Sequence, residues 1–215
     1  MKTLLAEIRT SLVITAVLLV VVSGAYPLAV WAGARLLFPH QADGSLVRDA
    51  HGQVIGSALL AQNFSSARYF QPRPSAAGTG YDATSSGGTN YGPTSDRLVH
   101  GAHAKDKSGK PIDDPNNFDG IVDLVAAFRA ANGLGPNDPV PADAVTRSGS
   151  GLDPDISVSN ADRQAGRVAR ARGLSEEMVR GLVAAQVSDR DWRIFGEPRV
   201  NVLLLNLALD RAAGR

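Results

Sequence analysis

The residue patterns that most often accompany catalysis or metal binding occur in this chain only in incomplete form. Ser150 lies in an SGSGL run, but a nucleophile elbow needs glycine two residues before the serine, where this chain has Ser148. His100 and His103 have a spacing that zinc ligands can have, yet zinc takes three or four ligands and the surrounding sequence predicts a loop. We therefore predict no catalytic residue and no metal site.

An acidic run before Gly120 resembles a calcium-binding loop in composition but not in spacing. Pro115 and Phe118 interrupt the alternation of oxygen ligands, and no glutamate follows at the distance of the bidentate ligand. Capping of a helix is the better explanation for this run. Its members are Asp113, Asp114, Asn116, Asn117 and Asp119.

Three small residues form a weak candidate for nucleotide or cofactor binding. Ser86, Gly87 and Gly88 could wrap an anion with their backbone N–H groups. No P-loop lysine accompanies them, and the pattern GxxxxGK[ST] is missing from the sequence. A tight turn is the favoured interpretation, and the cofactor-binding residues stay unknown.

Two further sets of polar residues lie on predicted helices. Arg163, Arg167 and Arg170 recur at i, i+4 and i+7, which predicts a solvated helix face, with docking on an acidic surface or on lipid headgroups as the alternative. Asn201 and Asn206 lie in an apolar helix. Because buried amides need hydrogen-bond partners, we expect these two to bridge to loops.

Composition excludes several classes of protein. The chain has 215 residues, with 22 Lys and Arg, 21 Asp and Glu, and no Cys. This balance of charge argues against nucleic-acid binding, which requires a basic excess. The lack of cysteine excludes thiol chemistry and Cys-ligated metals.

Residues 10–34 predict a single transmembrane helix. These 25 residues carry no charge, and at about 1.5 Å per residue they reach roughly 37 Å, enough to cross a hydrocarbon core of about 30 Å. A buried core helix and a cleaved signal peptide are the alternatives. The apolar run of a signal peptide is usually only about 7–15 residues long, although residues 32–34 could mimic a cleavage site.

Flanking charge predicts the orientation of this helix. Lys2 and Arg9 precede it, against the single acid Glu7, so residues 1–9 are expected in the cytoplasm and residues 35–215 outside it. Arg35 on the distal flank weakens the bias, but long domains cross the membrane largely regardless of charge.

The rest of the chain predicts an α+β fold, a single mixed extracytoplasmic domain with a β-hairpin region and several C-terminal helices. The hairpin covers residues 46–60, turning at Ala50, His51 and Gly52. Residues 77–97 form a long stretch rich in turn residues, and 99–116 an exposed insertion. The last helix is too short to span a membrane and is predicted to lie in the core. Four C-terminal helices are predicted. The first begins at Asn117 or Asp119 and ends at Gly133, and the second begins at Ser159 and ends at Gly173. The third begins after Ser175, and the last begins near Val200.

Several segments, in this order along the chain, resemble the C subunit of the Kdp potassium-transporting ATPase, a bacterial P-type pump complex. Each segment is weakly specific alone, but the set follows a lone transmembrane helix and covers nearly the whole chain. Thr89 and Leu204 depart from the residues expected there. The matching segments are residues 24–28, 56–59, 62–64, 69–70, 73–76, 86–90, 145–146, 148–153, Gln164, 167–169, 200–202 and 205–210.

This resemblance implies a non-catalytic accessory subunit of an ATP-driven, high-affinity potassium uptake complex in the bacterial cytoplasmic membrane. Its partners would be a potassium-binding channel-like subunit, the P-type ATPase catalytic subunit and a small membrane subunit. The family is described as supporting assembly and raising the affinity of the pump subunit for ATP, an effect that we expect to be indirect. ATP and potassium would then act at the complex, and the catalytic residues would lie on another chain.

Candidates for contacts with those partners come from the matched segments and, for Gly33, from the small residues of the predicted transmembrane helix, which permit close approach of another helix. They are Gly24, Gly33, Tyr69, Phe70, Arg73, Asn90, Gln164 and Arg167. The alternative function, from a different class, is a membrane-anchored extracytoplasmic hydrolase or ligand-binding module.

Overall fold

The computed structural model describes residues 2–49, 51–114 and 117–213. Contacts divide the chain into two compact units, residues 1–57 and residues 58–215. The fold is α+β, as the sequence predicts, with one N-terminal apolar helix, two small sheets and several C-terminal helices.

The first unit is dominated by one long apolar helix. It consists of α1 (Lys2–Val20), one π-helical turn (Val21–Ala25) and α2 (Tyr26–Leu37). The continuous stretch Thr3–Leu37 has a mean hydropathy of 2.3 in its most apolar part, none of which is buried. It is therefore long and apolar enough to cross a membrane, and the predicted span 10–34 lies inside it.

The π-helical turn has a local cause in Pro27. A proline has no N–H, and its ring crowds the carbonyl four residues earlier, here that of Ser23. The hydrogen-bond pattern changes just before it, where the Tyr26 N–H donates to the carbonyl of Val21, five residues earlier.

A short helix and the predicted hairpin complete the first unit. After α3 (Pro39–Ala42), β1 (Leu46–Arg48) pairs antiparallel with β2 (Val54–Ser57). The Asp49 carboxylate accepts from the backbone N–H groups of His51 and Gln53, at 2.8 and 2.9 Å, which closes the turn. Ala50 lies outside the described residues. The hairpin belongs to the first unit.

The second unit begins with a long irregular stretch and continues with helices. No helix or strand occurs between residues 58 and 95, all of them described, in keeping with the many glycines and prolines there. Then come α4 (Asp96–His100), α5 (Ile121–Asn132) and a 3₁₀ turn (Ala142–Ala144). Residues 105–113 are exposed, as predicted for the polar insertion.

The C-terminal part contains the second sheet and three helices. Its antiparallel strands lie in the order β3-β5-β4, so β5 is central. The elements are β3 (Asp155–Ser157), α6 (Val158–Arg172), α7 (Glu176–Ala185), β4 (Val187–Ser188), β5 (Arg199–Asn201) and α8 (Val202–Ala212).

The core of this unit lies among α6, α7, α8 and the central strand. The last helix is a core helix, as predicted, because Leu205 and Leu209 are fully buried. The core also contains Phe70, Ile156, Ala161, Ala165, Val168, Ala169, Val179, Val183, Val200 and Val202.

Two predicted helix starts are wrong. Helix α6 is capped by Ser157, whose hydroxyl accepts from the Asn160 N–H, two residues before the predicted Ser159. Helix α5 begins after Gly120 instead of Asn117 or Asp119, and the Asp123 carboxylate accepts from the Gly120 N–H. The reason is close packing, since a Cβ on Gly120 would lie 2.2 Å from the backbone nitrogen of Gly101.

The predicted helix ends are confirmed. Gly133 and Gly173 take the left-handed conformation that terminates α5 and α6. Ser175 caps α7, as predicted, by accepting from the Met178 N–H.

Candidate functional site: segments that meet at residues 68–76

Residues 68–76, called the 68–76 segment below, have no regular secondary structure, and side chains bind their backbone instead. The Oδ1 atom of Asn206 on α8 accepts from the Phe70 N–H at 2.8 Å, and its Nδ2 atom donates to the Phe70 carbonyl at 3.0 Å. The Phe70 ring is fully buried in the core. A single amide therefore satisfies both backbone groups of a buried residue, as a neighbouring strand would.

Gln164 on α6 repeats this arrangement one residue later. Its Oε1 atom accepts from the Gln71 N–H at 2.8 Å, and its Nε2 atom donates to the Gln71 carbonyl at 3.0 Å. Nε2 also donates to Oδ1 of Asn160, and the Nδ2 atom of Asn160 donates to the carboxylate of Asp143. The prediction that buried amides bridge to loops is thus confirmed for Asn206, and also for Asn201, which donates to the Ala58 carbonyl.

The prediction of a solvated arginine face is wrong for Arg167. This side chain is 6% exposed, and its guanidinium donates to the carbonyls of Ala67 and Tyr69 at 2.7 and 3.0 Å. It also donates to the side-chain oxygens of Asn132 and Gln164, at 2.9 and 2.7 Å. The helix face that carries it packs against an irregular segment whose carbonyls lack strand partners, and a guanidinium can satisfy several of them at once.

Burial lowers the pKa of Arg167 to about 10, with Arg170 as a smaller cause. The group therefore stays charged at neutral pH. All four acceptors named above are neutral oxygens, so this cation is held by hydrogen bonds rather than by an ion pair.

The far end of the 68–76 segment is bound to the loop of residues 146–153. Arg73 donates to the Asp153 carboxylate at 2.9 Å and to the Thr146 carbonyl at 3.3 Å. The Ser75 hydroxyl donates to the Gly151 carbonyl at 2.6 Å. Matching motifs from distant parts of the sequence thus meet at one place.

The glycine turn packs on the same loop. The Ser86 hydroxyl and the Gly87 N–H both donate to the Ser150 carbonyl, each at 2.9 Å. A Cβ on Gly88 would lie 3.0 Å from the Gly149 carbonyl oxygen. The predicted tight-turn role fits these contacts, and the Gly87 N–H is already engaged within the chain instead of being open to an anion.

The eight predicted interface residues lie in different environments. Phe70, Gln164 and Arg167 are buried inside the second unit, so they position the 68–76 segment. Tyr69 and Arg73 are half-buried, Asn90 is exposed, and Gly24 and Gly33 lie in the first unit with open space around their Cα atoms. The partner contacts of all eight stay a prediction.

Two open grooves border the 68–76 segment. The first, of about 310 Å³, is lined by the apolar side chains of Leu124 and Phe128 of α5 and of Pro72 and Pro74. Tyr81 also lines it and donates from its hydroxyl to the Arg73 carbonyl at 2.9 Å. Burial raises the pKa of Tyr81 to about 12, against a smaller opposing effect of Arg147.

The second groove, of about 450 Å³, is more polar. Arg147 lines it, stacking 4.3 Å above the Phe118 ring and donating to the Asp119 carbonyl at 3.1 Å. Burial lowers the pKa of Arg147. Ser75 and Thr89 line the same groove.

A potential ligand cluster that the sequence did not indicate lies beside this groove. Among the described residues, the ligand atoms of His103, Asp119 and Asp123 lie within 4.8 Å of one another. Asp123 accepts from His103 at 3.0 Å, and this hydrogen bond is the main reason why its pKa is lowered. The same carboxylate caps α5, so capping already accounts for its position. No spacing signal could have revealed this set, because its members are joined only by the folding of an exposed loop.

The geometry of Ser150 also agrees with a turn. Its hydroxyl oxygen accepts from the Leu152 N–H at 3.1 Å. Among the described residues, Asn206, Gln164, Arg167 and Asp153 of the matched motifs form hydrogen bonds with the 68–76 segment.

Comparison with known proteins agrees with this set of motifs. Residues 8–211 match the KdpC family, described as the K+-transporting ATPase c chain. A potassium-transporting ATPase KdpC subunit from Caulobacter vibrioides is 48% identical over 207 residues, which cover 96% of this chain and 94% of that protein. The protein of the same name from Myxococcus xanthus is 49% identical over 93% of this chain and 86% of its own length. The one from Bradyrhizobium diazoefficiens is 44% identical over 99% of this chain and its full length. The chain therefore belongs to the KdpC family, the accessory c chain of the potassium-transporting ATPase.

Proposed function

We propose that this chain supports assembly of the potassium pump and raises the affinity of its P-type ATPase subunit for ATP, without carrying catalytic residues itself. The observation that carries the proposal is the use of the motif side chains. Asn206, Gln164 and Arg167 each form at least one hydrogen bond with the backbone of the 68–76 segment. They thereby build a fixed surface for contact rather than a reaction site.

The proposed topology has residues 1–9 in the cytoplasm, residues 10–34 in the membrane and residues 35–215 outside the cytoplasm. It rests on the uncharged span and on its basic N-terminal flank. In this topology the second unit lies across the membrane from the cytoplasmic ATP pool.

The proposed partners are the channel-like potassium-binding subunit, the P-type catalytic subunit and the small membrane subunit. The N-terminal helix would meet them inside the membrane, since none of its apolar part is buried within this chain. The 68–76 segment and the exposed residue Asn90 would meet them outside it.

The effect on ATP affinity is proposed to be indirect. Contact with the pump subunit would favour the conformation that binds ATP more tightly, and such coupling typically changes affinity by about 5–150-fold. The hydrogen bonding of the glycine turn supports an indirect effect. The Gly87 N–H donates to the Ser150 carbonyl, so this group is not open to a phosphate of ATP.

Two titrations test the proposal. Potassium-stimulated ATPase activity is measured against ATP concentration for the complex with and without this chain, and the complex lacking it should need more ATP for half-maximal rate. The full-length chain in detergent is then titrated with ATP by calorimetry, where no saturable binding is expected. Micromolar binding by the chain alone would show a direct role, and hydrolytic activity of the chain alone would favour the alternative of an anchored hydrolase.

A further inference from the structure

The turn between β4 and β5 exposes three large apolar side chains. Trp192 is 86% exposed, Ile194 70% and Phe195 59%. The rings of Trp192 and Phe195 contact each other edge to face, with centroids 6.0 Å apart. Residues 190–197 are called the Trp192 tip below. A contiguous apolar surface of this kind marks a binding surface far more often than scattered exposed residues do.

The backbone of the Trp192 tip is strained at two successive residues. Trp192 and Arg193 have φ angles of 52° and 64°, the left-handed region that Gly and Asn adopt most easily. Bulky residues at two successive positions of this kind are costly. Strain that persists in a structure is found most often at functional positions.

Four backbone N–H groups of the tip form hydrogen bonds inside the turn. The Asp191 N–H donates to the Phe195 carbonyl at 2.9 Å, and the Phe195 N–H donates back to the Asp191 carbonyl at 3.0 Å. The N–H groups of Arg193 and Ile194 donate to the carbonyls of Arg190 and Asp191. These N–H groups therefore need no water, which is a condition for entering the boundary of a lipid bilayer.

The charges of the tip are arranged asymmetrically. Glu197 is paired with Arg190 at 2.7 Å, and Asp191 with Arg199 at 3.2 Å, so both carboxylates lie in ion pairs at the foot of the turn. Arg193 is exposed beside Trp192 at the apex. The apex is thus apolar and basic, complementary to the acyl boundary and the phosphates of an anionic phospholipid surface.

We propose that the Trp192 tip inserts into the headgroup region of the membrane that holds the N-terminal helix of the same chain. Trp192, Ile194 and Phe195 would enter the acyl boundary, and Arg193 would bind lipid phosphate. Three side chains alone would bind a membrane weakly from solution. Because the N-terminal helix already holds the chain in the membrane, binding of the Trp192 tip becomes intramolecular, and the effective concentration of the tip at the membrane rises. This inference depends on the N-terminal helix being embedded in a membrane and not on any effect on ATP.

The test uses the full-length chain with single tryptophans, since Trp31 and Trp192 are the two in the sequence. The Trp31→Phe variant is reconstituted into vesicles of phosphatidylethanolamine and phosphatidylglycerol, with brominated acyl chains in half of the samples. Vesicles with inserted protein are isolated by flotation before measurement. Bromolipid should quench Trp192 fluorescence, and the bilayer should shield this ring from aqueous acrylamide, as expected for a ring at the headgroup level.

Two control variants sharpen the test. In Trp31→Phe with Trp192→Phe and Met178→Trp, the only tryptophan is on the exposed face of α7, where Met178 is 50% exposed, and acrylamide should quench it freely. Arg193→Glu in the Trp31→Phe background should reduce the bromolipid quenching in phosphatidylglycerol vesicles. If Trp192 is as accessible to acrylamide as the tryptophan at position 178 and is not quenched by bromolipid, the proposal is wrong. The Trp192 tip would then have to bind a protein surface of the complex instead of lipid.

Discussion

Asn206 and Phe70 are 136 residues apart in sequence, yet one side-chain amide forms two hydrogen bonds with the backbone of the other residue, at 2.8 and 3.0 Å. The pair joins the last helix to an irregular segment and places the Phe70 ring in the core. Because both partners are buried, water cannot replace either bond. Helix α8 therefore fixes the Phe70 end of the 68–76 segment, while α6 and the 146–153 loop hold the residues that follow.

Replacing Asn206 with Ala should destabilise the second unit by about 3 kcal/mol, because it leaves a buried N–H and a buried carbonyl of Phe70 without partners. Urea unfolding in a mild detergent, followed by circular dichroism, measures the loss. Leu204→Ala on the same helix is the matched control, since Leu204 is 37% exposed and its loss should be much smaller. Equal losses for the two variants would contradict the role given to the amide.

Replacing Arg167 with Lys should also be costly, although the charge is kept. An ammonium group cannot reach the carbonyls of Ala67 and Tyr69 together with the side chains of Asn132 and Gln164. We expect a loss of about 3 kcal/mol in free energy of unfolding. Arg170→Lys on the exposed side of α6 should change it by less than about 0.5 kcal/mol. A lysine tolerated at both positions would show that the buried network contributes little.

The two glycines of the 86–88 turn should respond differently to a side chain. A Cβ on Gly88 meets the backbone of Ser148 and Gly149 at 3.0–3.3 Å, whereas a Cβ on Gly87 has nothing within 4 Å. Gly88→Val should therefore move the turn away from the 146–153 loop and lower potassium-stimulated ATPase activity of the complex, while Gly87→Val should leave it nearly unchanged. The ATPase activity of both complexes is measured over a range of ATP concentrations, including concentrations below saturation, where a loss of ATP affinity is visible. Loss with Gly87→Val alone would instead indicate a ligand or partner at that open position.

Tyr81 should ionise only in strongly alkaline solution. Its pKa is raised from 10.0 to about 12 by burial, so folding favours the neutral phenol. This contribution to stability is fully present below about pH 10 and is lost as the pH rises through about 12. The difference in tyrosinate absorbance between the wild type and Tyr81→Phe isolates this group, and its step should be centred near pH 12. A titration step centred near pH 10, the ordinary pKa of tyrosine, would show that the Tyr81 hydroxyl is solvated.

Local signals predicted much of the fold because their physics is local. Gly133 and Gly173 end helices through their own backbone freedom, and Ser175 caps α7 with its own hydroxyl. The start of α5 could not be predicted in this way. It depends on the contact of Gly120 with Gly101, which arises only when the 99–120 region folds back on itself.

The hydrogen-bond network at the candidate site could likewise be predicted only where a local sequence signal exists. The amide of Asn206 was a visible anomaly in an apolar helix, so its burial and its bridging role could be predicted. Arg167 gave no such signal, because the periodicity of arginines on α6 is the same for a solvated face and for a face that covers an irregular segment. Which face of α6 is buried is decided by residues 67–71, about a hundred positions earlier.

The N-terminal helix should bind its partners through its small residues. A Cβ added at Gly24 or at Gly33 would have no neighbouring atom within 4 Å, so Leu at both sites creates no clash within this chain. Any loss of copurification with the pump subunits must then come from helices outside the chain, which approach closely only where side chains are small. Val17→Leu with Val30→Leu is the matched control, because both valines are exposed on the same helix and already carry branched side chains. We expect the glycine variant to lose most of the copurifying subunits and the valine variant to retain them. If both variants copurify fully, the helix serves only as an anchor, and assembly depends on the second unit.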